Sequence, residues 1–292
     1  MKKDKIPLYD VVIPFHPKDT YTLERCISSI RTYAKRAGTI FVVSEGGILP
    51  AEVTVSPNVV CIDDAIFPFN IYDVQARIRS RKNSQGWYFQ QLVKLYCFSV
   101  IPFLRKRALV INSDFELIAP IDFVSPDGKY IYMDWCNKHS PVLFGHAKTV
   151  LGADFKRAYY GRSGITDCAV FDREIVDSLL SAIEKNNRGR SAWMVLLEAV
   201  NPQDKDGMGM SEYDLVFNWA SIHFQERILL RRLIAENYIK IDYSHRYSDN
   251  ENEPGYFRKK YDFFKLLSAT ITLARNRPKR DIVQYLGMKF EV

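Results

Sequence analysis

The sequence predicts an α/β fold, and two observations predict it. Short apolar runs of the kind that form buried strands occur at residues 10–16, 39–44 and 58–62. Residues 20–37 separate the first two runs and carry apolar side chains at helical spacing. Alternation of strand and helix at these distances is typical of a parallel sheet. We therefore expect a Rossmann-like domain with a mostly parallel central sheet flanked by helices.

The first elements have clear boundaries in the sequence. Asp10–His16 is an apolar run that contains Pro14, and it predicts the first strand. The following helix is expected to end near Gly38, because glycine readily adopts the left-handed conformation that stops helices. Its apolar positions are Leu23, Cys26, Ile27, Ile30 and Tyr33.

The central part of the chain predicts a long helix between strands. Trp87–Leu104 has a strong helical pattern, which Pro102 is expected to shorten or kink. Ala108–Asn112 and Lys129–Met133 predict the fourth and fifth strands. His139–Arg162 is mixed and aromatic, and we expect it to include loops.

The remaining segments predict mainly helices. Helices are expected at Asp172–Asn186, Ser191–Val200 and Ser211–His223. Ser211 is a suitable N-cap, and Asn201–Met210 lacks periodicity and predicts a loop. Tyr238–Tyr243 predicts a late strand. We expect one domain over residues 1–250, followed by a C-terminal helical extension over residues 251–292 whose basic helix spans Tyr256–Arg275.

Composition narrows the function classes. The 41 Lys and Arg residues exceed the 34 Asp and Glu residues, for a net charge of +7. This excess favours an anionic ligand, or peripheral contact of the basic C-terminal helix with an anionic membrane. No aromatic RNA-binding signature accompanies the basic residues, so we expect no nucleic-acid partner.

Cysteine usage and hydropathy predict a cytoplasmic protein. The five cysteines are widely spaced and include no C-x-x-C pair, which is typical of reduced thiols and argues against a zinc site. The N-terminal residues lack the apolar core of a signal peptide. No run approaches the roughly 20 apolar residues of a transmembrane helix.

Three polar side chains follow the fourth predicted strand at two-residue intervals. They are Asn112, Asp114 and Glu116. If the strand pattern continued, all three would point to one side at the carboxyl edge of the sheet, where α/β sheets bind ligands. Carboxylate and amide oxygens suit Mg²⁺ or Mn²⁺ bridging phosphates. The alternative is a turn with solvated polar side chains.

A second polar group lies on the preceding helix, in GWYFQQLVKL at residues 86–95. Gln90 and Lys94 are four residues apart and share one face, from which they can reach a phosphate or a sugar. Trp87, Gln91 and Leu95 form the neighbouring stripe. An amphipathic helix explains the apolar positions but explains the Gln-Gln pair less well.

GWYFQQLVKL followed by ALVINSDFELIAP resembles the GT-A glycosyltransferases. In particular it resembles a poorly characterised family with a GW-x-x-QQ-x-x-KL helix before a D-x-D strand. DVVIPFH resembles the first nucleotide-binding strand of that fold, and SGITDCAVFDREIVDSLL and SEYDLVFNWA resemble acceptor-side segments. The resemblance covers residues 8–250 and is strongest over 86–120. Asn112 stands where the family usually has Asp, which puts the metal dependence in question.

The resemblance implies transfer of a sugar from a nucleotide-sugar donor, expected to be a UDP-sugar, to a hydroxyl of a glycan acceptor, with Mn²⁺ or Mg²⁺. Residues 8–120 would form the donor half and residues 121–250 the acceptor half. The implied donor contacts are Pro14, Phe15, His16, Arg77, Arg81, Gln90, Lys94, Asn112 and Ser113. The implied metal ligands are Asp114, Glu116 and His245, with His223 a weaker candidate.

An inverting transferase needs a carboxylate that takes the proton of the attacking hydroxyl. Asp167 lies in an otherwise apolar segment, where a carboxylate must be hydrogen-bonded or functional. Glu212 and Asp214 lie at a predicted helix N-terminus, which also stabilises negative charge without catalysis. Asp134 and Trp135, at the end of the fifth strand, are candidate acceptor contacts. Inversion is favoured here, but the residues leave retention open.

Two other functions remain. A nucleotidyltransferase would use the same kind of sheet, but it needs a glycine-rich phosphate loop after the first strand, and PFHPKDT has no glycine. The third hypothesis is a non-catalytic nucleotide- or glycan-binding protein with a degenerate site. It is based on Asn112, which stands where the family usually has Asp.

Overall fold

The structure is a computed structural model that describes residues 8–54, 57–80, 84–117, 119–136, 140–232, 238–240, 282–285 and 288–291. The α-helices are α1 (Thr20–Tyr33), α2 (Ala51–Thr54), α3 (Ile71–Arg77), α4 (Gln85–Val100), α5 (Pro141–Leu151), α6 (Arg173–Asn186), α7 (Ala192–Glu198) and α8 (Glu212–His223). The strands are β1 (Tyr9–Pro14), β2 (Ala37–Ser44), β3 (Val59–Asp63), β4 (Arg107–Ile111), β5 (Phe115–Leu117), β6 (Tyr130–Cys136), β7 (Arg162–Ser163), β8 (Cys168–Asp172), β9 (Ile228–Arg232), β10 (Tyr238–Lys240), β11 (Ile282–Tyr285) and β12 (Met288–Glu291).

The central sheet has the strand order β3-β2-β1-β4-β8. Strands β1 to β4 are parallel and β8 is antiparallel to β4. Every residue of β1 and β8 is buried, as expected for strands covered on both faces. The predicted α/β class and mostly parallel sheet are therefore confirmed. The chain moves outward from β1 to β3 and then returns to the other side of β1, so the strand order reverses between β1 and β4.

The end of α1 differs from the prediction. The helix ends at Tyr33, and Gly38 lies inside β2. Arg36, with φ of 65°, adopts the left-handed conformation that was expected of glycine. Ala34 is already extended and forms a β-bridge with Ile121, so a contact distant in sequence ends the helix early.

The end of α4 agrees with the effect predicted for Pro102. The helix ends at Val100 and Ile101 is extended. A proline disfavours helical backbone in the residue before it. The helix therefore ends two residues before the ring, and its buried face spans Tyr88 to Phe98.

The predicted fifth strand forms but lies outside the central sheet. Strand β6 pairs with β7 and β9 in a separate three-stranded sheet. The strand that pairs with β4 is instead β8, which forms from the apolar segment after Asp167. The segment expected to include loops contains α5, whose N-cap Ser140 accepts a hydrogen bond from the Leu143 amide.

The later helices follow the predicted boundaries closely. The Ser211 hydroxyl accepts a hydrogen bond from the Asp214 amide and caps α8, as predicted. Strand β10 pairs with β5. The predicted basic helix over residues 256–275 lies outside the described residues, and β11 and β12 form an antiparallel pair after it. Within the part of the chain that is described, none of the helices has the length and apolar character to span a membrane.

Candidate active site

A cleft of about 210 Å³ lies where the strand order reverses, at the carboxyl ends of β1 and β4. Open α/β sheets bind ligands at this kind of position. Its charged lining residues come from five parts of the chain: Lys18, Asp19, Lys94, Asp114, Asp167 and Glu212. A larger cavity of about 470 Å³ lies beside Arg36 and Asn58, at the opposite edge of the sheet, and does not include these groups.

Lys94 links the helix layer to the loop that follows β4. Its Nζ atom donates to Oε1 of Glu212 at 2.8 Å and to Oδ1 of Asn112 at 2.6 Å. Nζ also lies 4.5 Å from the centre of the Tyr213 ring. Lys94 and Glu212 are both buried. Two oxygens and one aromatic face thus surround the ammonium group, so its charge is already balanced within the protein.

Asn112 joins this ion pair to Asp167. The amide Nδ2 atom of Asn112 donates to Oδ1 of Asp167 at 3.0 Å, and the Asn112 backbone amide donates to the Asp167 carbonyl oxygen. Since an ammonium group only donates, the oxygen of the Asn112 amide must face Lys94, and the NH₂ group must face Asp167. A continuous chain of hydrogen bonds therefore runs from Glu212 through Lys94 and Asn112 to Asp167.

The carboxylates of the cleft act together on Tyr213. Burial, and next the negative charge of Glu212, raise the pKa of the Tyr213 phenol well above its ordinary value. Asp167 and Asp114 raise it further. Burial and then Asp114 likewise raise the pKa of the Cys26 thiol. Glu212, Asp167 and Asp114 therefore all lie near enough to the Tyr213 phenol to act on its pKa.

Seven predicted site residues line the cleft together: Gln90, Lys94, Asn112, Ser113, Asp114, Asp167 and Glu212. Pro14, Phe15 and His16 do not line it. Pro14 ends β1 and Phe15 is buried in the core, where strand alternation directs it. The His16 ring instead accepts a hydrogen bond from the Lys18 amide and caps a short helical turn.

Arg77 and Glu116 also lie outside the cleft lining. The Arg77 guanidinium packs over the Trp193 ring and its Nε atom lies 3.5 Å from Glu198. Glu116 accepts two hydrogen bonds from Arg25, at 2.7 and 3.0 Å. A turn at residues 113–114 interrupts the strand, so the two-residue alternation that placed Glu116 beside Asp114 does not continue.

Four other predicted site residues are placed only partly or not at all. Arg81 and His245 lie outside the described residues. The backbone of Asp134 and Trp135 belongs to β6, and their side chains are outside the described part. The roles suggested for these four residues stay predictions.

Two residues of α8 that the sequence suggested for the site, His223 and Asp214, do not line the cleft. His223 lies at the far end of the helix from Glu212 and packs against the Trp219 ring. Asp214 accepts hydrogen bonds from the Ser163 hydroxyl and the Gly164 amide, and burial raises the pKa of its carboxyl group. Asp214 therefore holds the backbone that leads to Asp167.

Sequence reasoning missed several residues of the cleft. Asp19 accepts a hydrogen bond from the Ser113 hydroxyl at 2.9 Å, which joins the loops after β1 and β4. Gln91 is buried, and its Oε1 atom accepts from the Glu212 amide. Its Nε2 atom has no hydrogen-bond partner among the described residues. The unexplained Gln-Gln pair was the one signal that pointed to Gln91.

The residues that line the cleft suit a divalent cation only if a bound phosphate supplies some of the ligands. Within the described ranges, no three His, Cys, Asp or Glu side chains are grouped as ligands of one ion. In nucleotide sites Mg²⁺ commonly keeps several waters and binds one or two carboxylates together with phosphate oxygens. Asp114 is suited to that shared arrangement, whereas the Asn112 amide oxygen is already taken by Lys94.

Residues 10–260 match the model of a protein family described as "Family of unknown function (DUF6492)". Because the match spans most of the chain, the chain belongs to this family. A search of curated proteins finds no match.

Two solved structures show distant similarity. The apo form of mouse xyloside xylosyltransferase 1 is 12% identical, with 78% of this chain and 86% of that chain covered and a TM-score of 0.40. The galactosyltransferase LgtC in complex with donor and acceptor sugar analogues is 14% identical, with 65% and 69% covered and a TM-score of 0.36. Similarity at this level assigns no site residue.

Proposed function

We propose that this member of the family is a GT-A-type glycosyltransferase, which binds a nucleotide-sugar donor in the cleft and transfers the sugar to a hydroxyl of a glycan acceptor. The observation that carries the proposal is the cluster of Asp114, Asp167 and the Lys94–Glu212 pair at the point where the strand order reverses. The resemblance of residues 86–120 to GT-A enzymes supports it independently.

The charge of the lining supports a donor that carries its own cation. The described lining contains two lysines and four carboxylates, and one lysine is committed to Glu212. A diphosphate entering this cleft would meet net negative charge unless Mg²⁺ or Mn²⁺ accompanied it. Asp114 would hold the ion, and the ion would neutralise the leaving diphosphate. We expect the nucleotide to be UDP.

The cleft volume indicates which part of the donor it holds. About 210 Å³ is less than the roughly 300–1,000 Å³ of typical ligand pockets. The diphosphate and sugar would occupy the cleft beside Asp114 and Asp167, and the nucleoside would extend beyond it. Trp87 and Met208 give the lining apolar surface that suits the carbon face of a sugar.

Within this proposal, Asp167 is the better candidate for the base. Its carboxylate contacts Asn112 and lines the cleft. Glu212 accepts from the buried ammonium of Lys94, and a proton taken up by Glu212 would leave that charge unpaired, at a cost of several kcal/mol. We therefore assign Glu212 to holding Lys94 in place.

The proposed transfer is a single displacement with inversion. The acceptor oxygen forms a bond to the anomeric carbon as the bond from that carbon to the diphosphate oxygen breaks. The hydroxyl proton passes to Asp167, and the electron pair of the broken bond leaves with the nucleoside diphosphate.

A thermal-shift panel of nucleotide sugars, with and without Mn²⁺, tests the proposal. A ligand that binds the folded state raises Tm by mass action. We expect a Mn²⁺-dependent shift with UDP or one UDP-sugar, and loss of that shift in Asp114→Ala. We expect Asp167→Asn to keep the shift but to lower release of UDP from the donor about 10²–10⁴-fold.

The outcomes separate the proposal from its competitors. Donor binding without any turnover, in the presence of a range of glycan acceptors, would favour a non-catalytic binding protein. Cleavage of a nucleoside triphosphate with formation of a nucleotide sugar would favour a nucleotidyltransferase. Absence of any shift would overturn the donor-site assignment.

A further inference from the structure

The side chain of Asn112 lies between a cation and an anion and contacts each with the matching end of its amide. Its oxygen accepts from Lys94 at 2.6 Å and its NH₂ group donates to Asp167 at 3.0 Å. The amide oxygen therefore meets the cation, and the NH₂ group of the same side chain meets the anion. The geometry explains why this position, in an N-S-D sequence, carries an amide.

An aspartate would not satisfy the same two neighbours. It accepts hydrogen bonds but donates none when ionised, so its second oxygen would face the Asp167 carboxylate at about the distance of the present contact. Two carboxylates that share a site cannot both ionise without a large penalty. Alanine would leave both Lys94 and Asp167 without this link. Among these side chains, only the amide connects Lys94 to Asp167.

We infer that Asn112 is a positioning residue, whose amide holds Asp167 toward the cleft by joining it to the buried Lys94–Glu212 pair, and that an aspartate here disables the site. The inference rests on the proposed function only in naming Asp167 as the base. In this account Asn112 orients the carboxylate of Asp167 and does not bind a metal.

Exchange of the two side chains tests the geometry. The double variant, which combines Asn112→Asp with Asp167→Asn, keeps the net charge and gives Lys94 a second carboxylate partner beside Glu212. The amide introduced at position 167 can then donate to the carboxylate introduced at position 112. We expect Asn112→Asp alone to lower Tm, and the exchange variant to recover most of that loss. Asn201→Asp, on an exposed loop, adds the same charge and is expected to leave Tm nearly unchanged.

Comparison with Asn112→Ala distinguishes this mechanism from simple loss of a contact. Both variants lose the link between Lys94 and Asp167, but only Asn112→Asp also places two carboxylates in contact, so its Tm should fall further than that of Asn112→Ala. These measurements need no substrate, so they test the inference even if no donor is found. An Asn112→Asp protein as stable as wild type, or an exchange variant no more stable than the single variant, would overturn it.

The activity measurement tests what the link does for the reaction. We expect Asn112→Asp to lower kcat about 10²-fold, since misplacement of a reacting group by about 1 Å has effects of that size. Its donor affinity should change less than its kcat. The exchange variant should regain Tm but not turnover, because its base is an amide. Recovery of turnover in the exchange variant would remove Asp167 from the base role and overturn the inference.

Discussion

The Nζ atom of Lys94 lies 2.8 Å from Oε1 of Glu212, and each of the two side chains is only 3% exposed. Burial of two charges is costly unless each has good partners. Here Asn112 and the Tyr213 ring complete the surroundings of the ammonium group, and the Glu212 backbone amide is held by Gln91. The pair therefore fixes the distance between α4 and α8 and, through Asn112, the position of Asp167.

Removal of one partner of this pair should be strongly destabilising. We predict that Lys94→Met lowers the free energy of unfolding by about 3–5 kcal/mol, because Glu212 is left as an uncompensated buried charge. Lys35→Met is a matched control, since Lys35 and Asp122 form a pair at the surface. It should change stability by about 1 kcal/mol or less. Equal effects of the two variants in urea unfolding would contradict the role assigned to Lys94.

Gly164, three residues before Asp167, is predicted to tolerate no side chain. A Cβ atom there would lie 2.1 Å from Cβ of Phe217 and 2.9 Å from the Tyr213 carbonyl oxygen. Gly164→Ala must therefore move α8 or the segment that carries Asp167, and we expect a loss of about 1–3 kcal/mol together with reduced turnover.

Gly145 provides the control for Gly164. It lies within α5, and a Cβ atom added there meets nothing within 4 Å. Gly145→Ala should raise the free energy of unfolding by about 0.5–1 kcal/mol, because alanine favours helix more than glycine does. The prediction for Gly164 fails if Gly164→Ala unfolds at the same urea concentration as wild type, or at a higher one.

His146 should make the protein less stable in acid. The ring is buried, its Nε2 atom donates to the Leu196 carbonyl oxygen, and Nδ1 has no partner among the described residues. Burial lowers its pKa to about 4, from 6.5 for an unperturbed histidine. Between these values the unfolded chain binds a proton that the folded protein does not, so the contribution of His146 to stability falls as pH drops from 6.5 to about 4.

Urea unfolding over that pH range checks the sign. The slope from one such group is about 1.4 kcal/mol per pH unit. His146→Gln keeps a donor for Leu196 but does not titrate, so its stability should depend less on pH than that of wild type. An unchanged slope would show that His146 is not the responsible group.

Much of the fold could be predicted because its signals are local. Strands β1 and β4 are continuous apolar runs, α4 ends before Pro102, and α8 begins at the Ser211 cap. The antiparallel place of β8 and the departure of β6 to another sheet depend on strand pairing between distant segments. No local sequence pattern determines which of these strands pair. The early end of α1 also depends on a contact between distant segments, the β-bridge of Ala34 with Ile121.

The site could be predicted where a residue type was chemically unusual for its place. Asp167 was singled out because a carboxylate interrupts an apolar segment, and Lys94 because it shares one helix face with Gln90; both line the cleft. The expectation for Glu116 depended on uninterrupted strand alternation, which the turn at residues 113–114 breaks. Asp19 had no such signal, since its contact with Ser113 exists only after β1 and β4 become neighbours.

The measurement that tests the central claim most directly is calorimetric titration of UDP in Mn²⁺, with wild type, Asp114→Ala and Glu116→Gln compared. We predict saturable binding at one site in wild type, loss of that binding in Asp114→Ala or on chelation of the metal, and near-normal binding in Glu116→Gln, whose carboxylate contacts Arg25. Unchanged affinity in Asp114→Ala, or no binding of UDP or any other nucleoside diphosphate to wild type, would contradict a donor site in this cleft.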